Sequence, residues 1–164
     1  MKNKIRKYSM AISGGEYGDE GKGRITDKYV SEYAKKRKVI VYRDNGGANA
    51  GHTIEFEDGQ RVALHQLCSG IFVKNAVMIM GKGMVLHPQD LISEITEVIK
   101  LSGGKLKSEL MIDEMAVLSP DTHRAYESML KTWESGGSGS TARGIGPAYA
   151  DIVLRHPLRM RDLR

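Results

Sequence analysis

Residues 14–24 read Gly14-Gly15-Glu16-Tyr17-Gly18-Asp19-Glu20-Gly21-Lys22-Gly23-Arg24. They follow a short apolar run ending at Ser13 and precede Ile25-Thr26-Asp27-Lys28-Tyr29-Val30, which predicts a loop between a strand and a helix. Five glycines in ten positions let the backbone come close to a ligand and present its N–H groups. Lys22 and Arg24 add positive charge where phosphate oxygens would sit. The stretch reads as a phosphate loop, with a plain glycine-rich turn carrying solvated charges as the alternative.

It departs from the common nucleotide pattern G-x-x-x-x-G-K-[ST]. Glu16 stands where the first Gly belongs, and Gly23 replaces the hydroxyl residue that would hold Mg²⁺. Asp19 and Glu20 place two carboxylates inside a loop that should welcome anions, which points to a metal ligand or a proton carrier as well as to binding.

At 164 residues, with 40% hydrophobic and 27% charged content, the chain suits one globular domain with a real core. It reads without a signal peptide or a membrane span. The single Cys68 excludes an internal disulfide framework and fits a small core residue in a reducing cytosol, so cytoplasmic placement is expected. A net charge of +5 favours anionic partners. Much of it comes from Lys2, Lys4, Arg6 and Lys7 and from Lys35-Lys36-Arg37-Lys38, which lack interleaved aromatics and read as solvated surface. Nucleic acid is therefore not an expected partner.

Strands are predicted at residues 7–13, 39–43, 77–80 and 110–112, and helices at residues 24–36, from Pro88, and from Ser119-Pro120-Asp121. Leu91, Ile92, Ile95, Val98 and Ile99 mark the apolar face of the second helix, which Gly103-Gly104 stops. Tyr126, Met129, Leu130 and Trp133 share a face of the third and read as core. Glu57-Asp58-Gly59-Gln60 supplies the turn of a hairpin between residues 53–56 and 61–64. His87 and His123 lack metal-ligand spacing and read as structural or solvated. The alternation argues an α/β fold with a largely parallel sheet flanked by helices, of the phosphate-loop NTPase-like kind, with a β-hairpin insertion.

A second glycine-rich loop, Asp44-Asn45-Gly46-Gly47-Ala48-Asn49-Ala50-Gly51-His52-Thr53, follows the second strand, and such loops meet at the carboxyl edge of an α/β sheet. A third spans residues 136–147. Its first part, residues 133–138, reads equally as a flexible linker. From Ser140 onward, Ser140, Thr141 and Arg143 in a glycine context suit anion capture.

Gly18-Asp19-Glu20-Gly21-Lys22-Gly23, then Asn45-Gly46-Gly47-Ala48-Asn49-Ala50-Gly51-His52-Thr53, then Thr141-Ala142-Arg143-Gly144-Ile145-Gly146-Pro147-Ala148-Tyr149 resemble the signatures of the adenylosuccinate synthetase family, in the family's order. Leu64-His65, Ser69-Gly70-Ile71, Gly81-Lys82-Gly83, Leu158-Arg159 and Asp162-Leu163 are softer matches between and after them. The resemblance runs from about Met10 to the end and implies that residues 1–164 are the N-terminal part of a single nucleotide-binding domain, apparently truncated. The family's chain is well over twice as long, and its later parts carry the aspartate-binding arginine loop and the guanine-recognising segment.

The resemblance implies a ligase that joins IMP and L-aspartate using GTP and Mg²⁺ in purine synthesis. By resemblance Asp19 is the base that takes the N1 proton of the hypoxanthine ring, the 6-oxyanion then attacks the γ-phosphate of GTP, and the amine of aspartate displaces the 6-phosphate. His52 matches the acid that hydrogen-bonds the transferring phosphoryl, Lys22 neutralises charge, and Asp19 with the Gly51 carbonyl matches the metal ligands. GTP contacts correspond to Gly18, Asp19, Glu20, Gly21, Lys22, Gly23, Arg24, Gly51, His52 and Thr53. IMP contacts correspond to Asp19, Glu20, Gly21, Lys22, Asn49, Ala50, Gly51, His52, Thr141 and Arg155. Arg155 falls where the family donates an arginine across a homodimer interface. A separate chain carrying the missing C-terminal region is a further implied partner.

Glu16-Tyr17 replaces the family's usual Gln-Trp, Arg24 a common Lys, and Cys68 a frequent Pro, none of which removes a catalytic group. Two alternatives stand beside the ligase. One is a relative making 2-aminoadenylosuccinate from dGMP, against which Asp19 leans. The other is a non-catalytic nucleotide-binding remnant, which would not need Asp19 and His52 together.

Overall fold

The computed structural model describes residues 9–16, 20–56, 59–133 and 140–163, without the side chains of 131–133. A parallel three-stranded sheet is built from β1 (Val39–Arg43), β4 (Ala76–Met80) and β6 (Glu109–Ile112), in the order β1-β4-β6. The register pairs Val41 with Met78 and Met78 with Leu110. Helices α1 (Lys22–Ala34) and α2 (Pro88–Leu101) flank it. β2 (His52–Glu55) and β3 (Arg61–Leu64) form the expected antiparallel hairpin. Its turn includes Gly59, and Glu57 and Asp58 lie outside the described residues.

Alternation along the strands decides which face is core. Val39, Val41, Met78, Met80, Leu110 and Ile112 join a cluster with Val30 of α1, Leu91 and Val98 of α2, and Ile54, Val62 and Leu64 of the hairpin. On the other face Ile40, Tyr42 and Met111 are 65%, 58% and 52% exposed. Parallel sheets ordinarily bury both faces, so this sheet carries an apolar surface that no described residue covers.

Two-residue strands β5 (Val85–Leu86) and β7 (Val117–Leu118) pair in parallel. They carry the chain toward α3 (Asp121–Trp133) and α4 (Ile145–Val153), which pack on each other. Residues Met160–Leu163 form a 3₁₀ turn.

Three expectations are corrected. Residues 9–13 form no strand, and Met10 is 49% exposed. Apolar content qualifies a segment for a strand, but a ladder partner decides it, and the sheet pairs β1, β4 and β6 without this segment; Lys7 and Tyr8 lie outside the described residues. On α2, Ile92 is 58% exposed while Glu94 is buried, because the inward positions are 91, 94, 95 and 98. On α3, Tyr126, Met129 and Leu130 are exposed rather than core, since the helix packs on α4 and pairs with α2 through Arg124 and Asp90, leaving that stripe outward; the side chain of Trp133 lies outside the described residues.

Candidate functional site

The loops after β1 and β4 interlock at the carboxyl end of the sheet. Gly81 N–H donates to the Arg43 carbonyl (2.7 Å), Gly83 N–H to Asp44 Oδ1 (3.0 Å) and Val85 N–H to the Gly46 carbonyl (2.9 Å). Within the second loop, Gly47 N–H reaches Asn49 Oδ1 (3.2 Å) and Ala50 N–H reaches the Gly47 carbonyl (3.1 Å). The third loop joins them from above α4. Ser119 Oγ donates to the Gly144 carbonyl (3.0 Å), and Gly144 N–H donates to Glu127 Oε2 (2.7 Å). Arg143 Nη1 lies 3.5 Å from Asp90 Oδ2, a carboxylate that also pairs with Arg124.

These contacts bring Ala48, Asn49, Gly51, His65, Thr141 and Arg143 round one cavity of about 250 Å³. Residues some ninety positions apart in sequence thus meet, two glycine-rich loops supplying backbone and Thr141 and Arg143 supplying a hydroxyl and a cation. A second cavity, about 370 Å³, is lined by Glu20, Gly21, Arg24, Ile25 and Lys28 at the start of α1. Gly21 caps α1 and Gly144 caps α4, each in the left-handed region at φ 80° and 77°. That conformation suits glycine, and it lets both loops turn sharply into a helix.

His52 opens β2 against the N-terminal turn of α1. A Cβ on Gly23 would stand 2.5 Å from His52 Cβ and 2.9 Å from its Cγ. The position that carries Ser or Thr in the common phosphate loop therefore has no side chain here because an imidazole occupies its space. Burial, then the nearby Arg43 charge and His65, push the His52 pKa down to about 4. The ring is neutral at pH 7, and its buried Nε2 meets no hydrogen-bond partner among the described residues. A neutral imidazole with an unspent ring nitrogen can donate a hydrogen bond without carrying charge.

Lys22 Nζ lies 2.7 Å from Glu20 Oε2, and Glu20 Oε1 accepts from Glu16 N–H at 2.8 Å. Thr53 is exposed on β2, and Ala50 and Gly51 stand beside His65. Arg155 follows α4 at φ 67°, exposed and outside both cavities. Gly18 and Asp19 lie outside the described residues. Among the described residues no group of three His, Cys, Asp or Glu side chains is arranged to hold a metal ion. Magnesium needs no such cage, since it takes one or two protein oxygens together with phosphate oxygens and water. The Gly51 carbonyl at the cavity and the carboxylate of Asp19, adjacent in sequence to Glu20, are hard oxygens of the required kind.

Sequence reasoning gave Arg43, Asp90, Arg124 and Glu94 no role. Arg43 donates to the carbonyls of His65 and Gln66, both at 3.0 Å, and lies within 3.4 Å of those of Asn45 and Gly47. A strand-end arginine followed by a glycine-rich loop was the available signal.

A parallel sheet with glycine-rich loops gathered at its carboxyl edge defines an α/β protein of the kind that builds its sites from loops. The comparisons with known proteins are more particular. Residues 11–164 match the family model described as adenylosuccinate synthetase, and the chain belongs to that family. It is 39% identical over 154 residues to the chloroplastic adenylosuccinate synthetase of Ostreococcus lucimarinus, covering 93% of this chain and 35% of that protein. The structure of fully ligated adenylosuccinate synthetase from Plasmodium falciparum superposes with a TM-score of 0.75 at 34% identity, over 90% of this chain and 33% of that one. A cyanophage S-2L succinoaminodeoxyadenylate synthetase bound to dGMP and dATP gives 0.68 at 26% identity, over 90% and 39%. The chain thus spans about a third of the length of the relatives it matches. No described helix is long and apolar enough to cross a membrane.

Proposed function

We propose that this chain supplies the IMP and phosphoryl-transfer part of a GTP-dependent ligase that forms adenylosuccinate from IMP and L-aspartate. The observation that carries the reading is the cavity where Thr141 and Arg143 of the third loop face Asn49 and Gly51 of the second. A hydroxyl, a guanidinium and glycine backbone converging in one cleft suit the 5′-phosphate of a mononucleotide.

On this reading Asp19 removes the N1 proton of the hypoxanthine ring, so that the 6-oxygen becomes the nucleophile toward the γ-phosphate of GTP. His52, neutral and seated against the α1 N-terminus, donates to the transferring phosphoryl. Lys22 and the backbone N–H groups of residues 20–24 offset the developing charge. Asp19 and the Gly51 carbonyl would hold Mg²⁺, which would supply positive charge to neutralise the phosphate oxygens. The remaining two-thirds of the relatives' length would supply guanine and aspartate recognition, and Arg155, exposed after α4, would serve a second copy in a homodimer.

The runner-up substrate, dGMP, is motivated by the cyanophage relative, whose identity to this chain is lower than that of the Plasmodium structure. Calorimetric titration of the chain with IMP, dGMP and GTP separates the readings. A hydrogen bond to a charged group is worth roughly 1.5–3 kcal/mol, so Thr141→Ala should weaken IMP about ten- to a hundredfold and leave GTP nearly unchanged. Equal weakening of both nucleotides would show that the third loop does not hold IMP.

A further inference from the structure

Glu94 is a carboxylate inside the core, 8% exposed, on a helix that touches neither cavity. Its oxygens accept from three successive backbone N–H groups: His65 and Gln66 at Oε1, Gln66 and Leu67 at Oε2, the last at 3.0 Å. From the opposite side Arg43 takes the carbonyls of His65 and Gln66, both at 3.0 Å. The Gln66 side chain is used up on the backbone of His87, accepting from its N–H at 2.7 Å and donating to its carbonyl at 3.2 Å. Residues 65–67 are thus gripped by an anion on their donors and a cation on their acceptors.

What this segment then holds is the second loop. His65 Nδ1 lies 2.7 Å from the Ala50 carbonyl, and because a carbonyl can only accept, that nitrogen carries the proton. The same ring lines the cavity with Asn49, Gly51, Thr141 and Arg143. The Arg43 guanidinium also reaches toward the Gly47 carbonyl at 3.4 Å. We propose that Glu94 is a positioning residue: through residues 65–67 and the His65 ring it fixes residues 49–52 against the third loop. An amide cannot replace it, because glutamine offers one acceptor oxygen where three N–H groups converge and turns an NH₂ donor toward them. An unmet buried donor loosens the segment that carries it.

The test is native-state hydrogen exchange on the 164-residue chain and its Glu94→Gln variant. Amides of residues 49–52 should exchange at least tenfold faster in the variant, while β4 and β6 keep their protection. Acceleration confined to residues 65–67, or spread evenly over β4 and β6, overturns the proposal. If Glu94→Gln does not fold, His65→Phe carries the test. It keeps a ring and removes the Nδ1 donor, so residues 50–52 should speed up with residues 65–67 still protected, and unchanged exchange there overturns the proposal. Calorimetry adds a functional arm that rests on the reading of the cavity as an IMP site. Glu94→Gln should weaken IMP about tenfold or more and GTP little. A parent chain that binds no IMP yet shows the exchange pattern supports the role of Glu94 and removes the nucleotide assignment instead.

Discussion

Gly23→Ala makes a prediction whose sign is the test. Gly23 lies in the first turn of α1, and its φ is not in the left-handed region. Alanine there should by propensity alone stabilise the helix by about 1 kcal/mol. The new Cβ would meet His52 Cβ at 2.5 Å, Cγ at 2.9 Å and Cδ2 at 3.2 Å. Carbon atoms rest at about 3.5–4.0 Å, so β2 or α1 must yield by roughly 1 Å or more. Overpacking of this kind costs about 1–3 kcal/mol. The net expectation is a loss of up to about 2 kcal/mol, or a fall in Tm of about 2–4 °C for each kcal/mol in a chain of this size. The assay is urea denaturation of the four members of a double-mutant cycle, with His52→Gly as the partner change. Gly23→Ala should destabilise the parent and stabilise the His52→Gly background, giving a coupling of about 1–3 kcal/mol. A gain of about 1 kcal/mol in both backgrounds would refute the claim that His52 is seated where the common loop carries its hydroxyl.

His52 should titrate near pH 4 by NMR, as burial beside Arg43 requires. Because its folded pKa is depressed, stability should fall as pH drops from about 6.5 toward 4; a midpoint near 6.5 would mean that the ring is solvated. Cys68 is buried, which pushes its thiol up to about 11. At pH 8 only about a thousandth is thiolate, so iodoacetamide should label the native chain far more slowly than the urea-unfolded one, and rapid native labelling would contradict the packing. The Asp90 carboxyl is held below its ordinary 3.8 chiefly by the hydrogen bond from Arg124. Asp90→Asn should therefore lower the urea midpoint at pH 7 and lose that deficit as pH falls through the depressed value, since the ion pair contributes only above it. A deficit that persists unchanged at pH 2 would assign Asp90 a purely steric part.

The described parts of the three glycine-rich stretches were legible as loops because glycine recurs there among polar and charged residues, which neither a helix nor a strand favours. The strand at Val39–Arg43 announced itself through β-branched residues, and the start of α2 through Pro88 at its first position. Glu94 was illegible because a charge at an inward spacing reads as surface until its three backbone donors are seen. Ile92 erred the other way, apolar yet one step off the buried stripe. The two-residue strands Val85–Leu86 and Val117–Leu118 are too short to carry a period. Helix α4 was hidden by Gly146 and Pro147, although Pro is tolerated in a first helical turn. Neither Tyr126 on α3 nor Tyr42 on the sheet reveals from sequence that its apolar face is uncovered among the described residues, because composition cannot distinguish a core partner within the chain from one outside it.

The most direct measurement is adenylosuccinate formation from IMP, GTP, Mg²⁺ and L-aspartate, read by absorbance. It would compare the chain alone with the chain mixed with the C-terminal two-thirds of a family relative. GTP must be aligned with the 6-oxygen and aspartate held by cations, so the chain alone should not turn over and the mixture should. Replacing Asp19 by Asn should then lower the mixture's rate by about 10²–10⁴-fold, as loss of a general base does, with IMP affinity changed far less. Turnover by the chain alone, or an Asp19→Asn mixture as fast as the parent, would contradict the account.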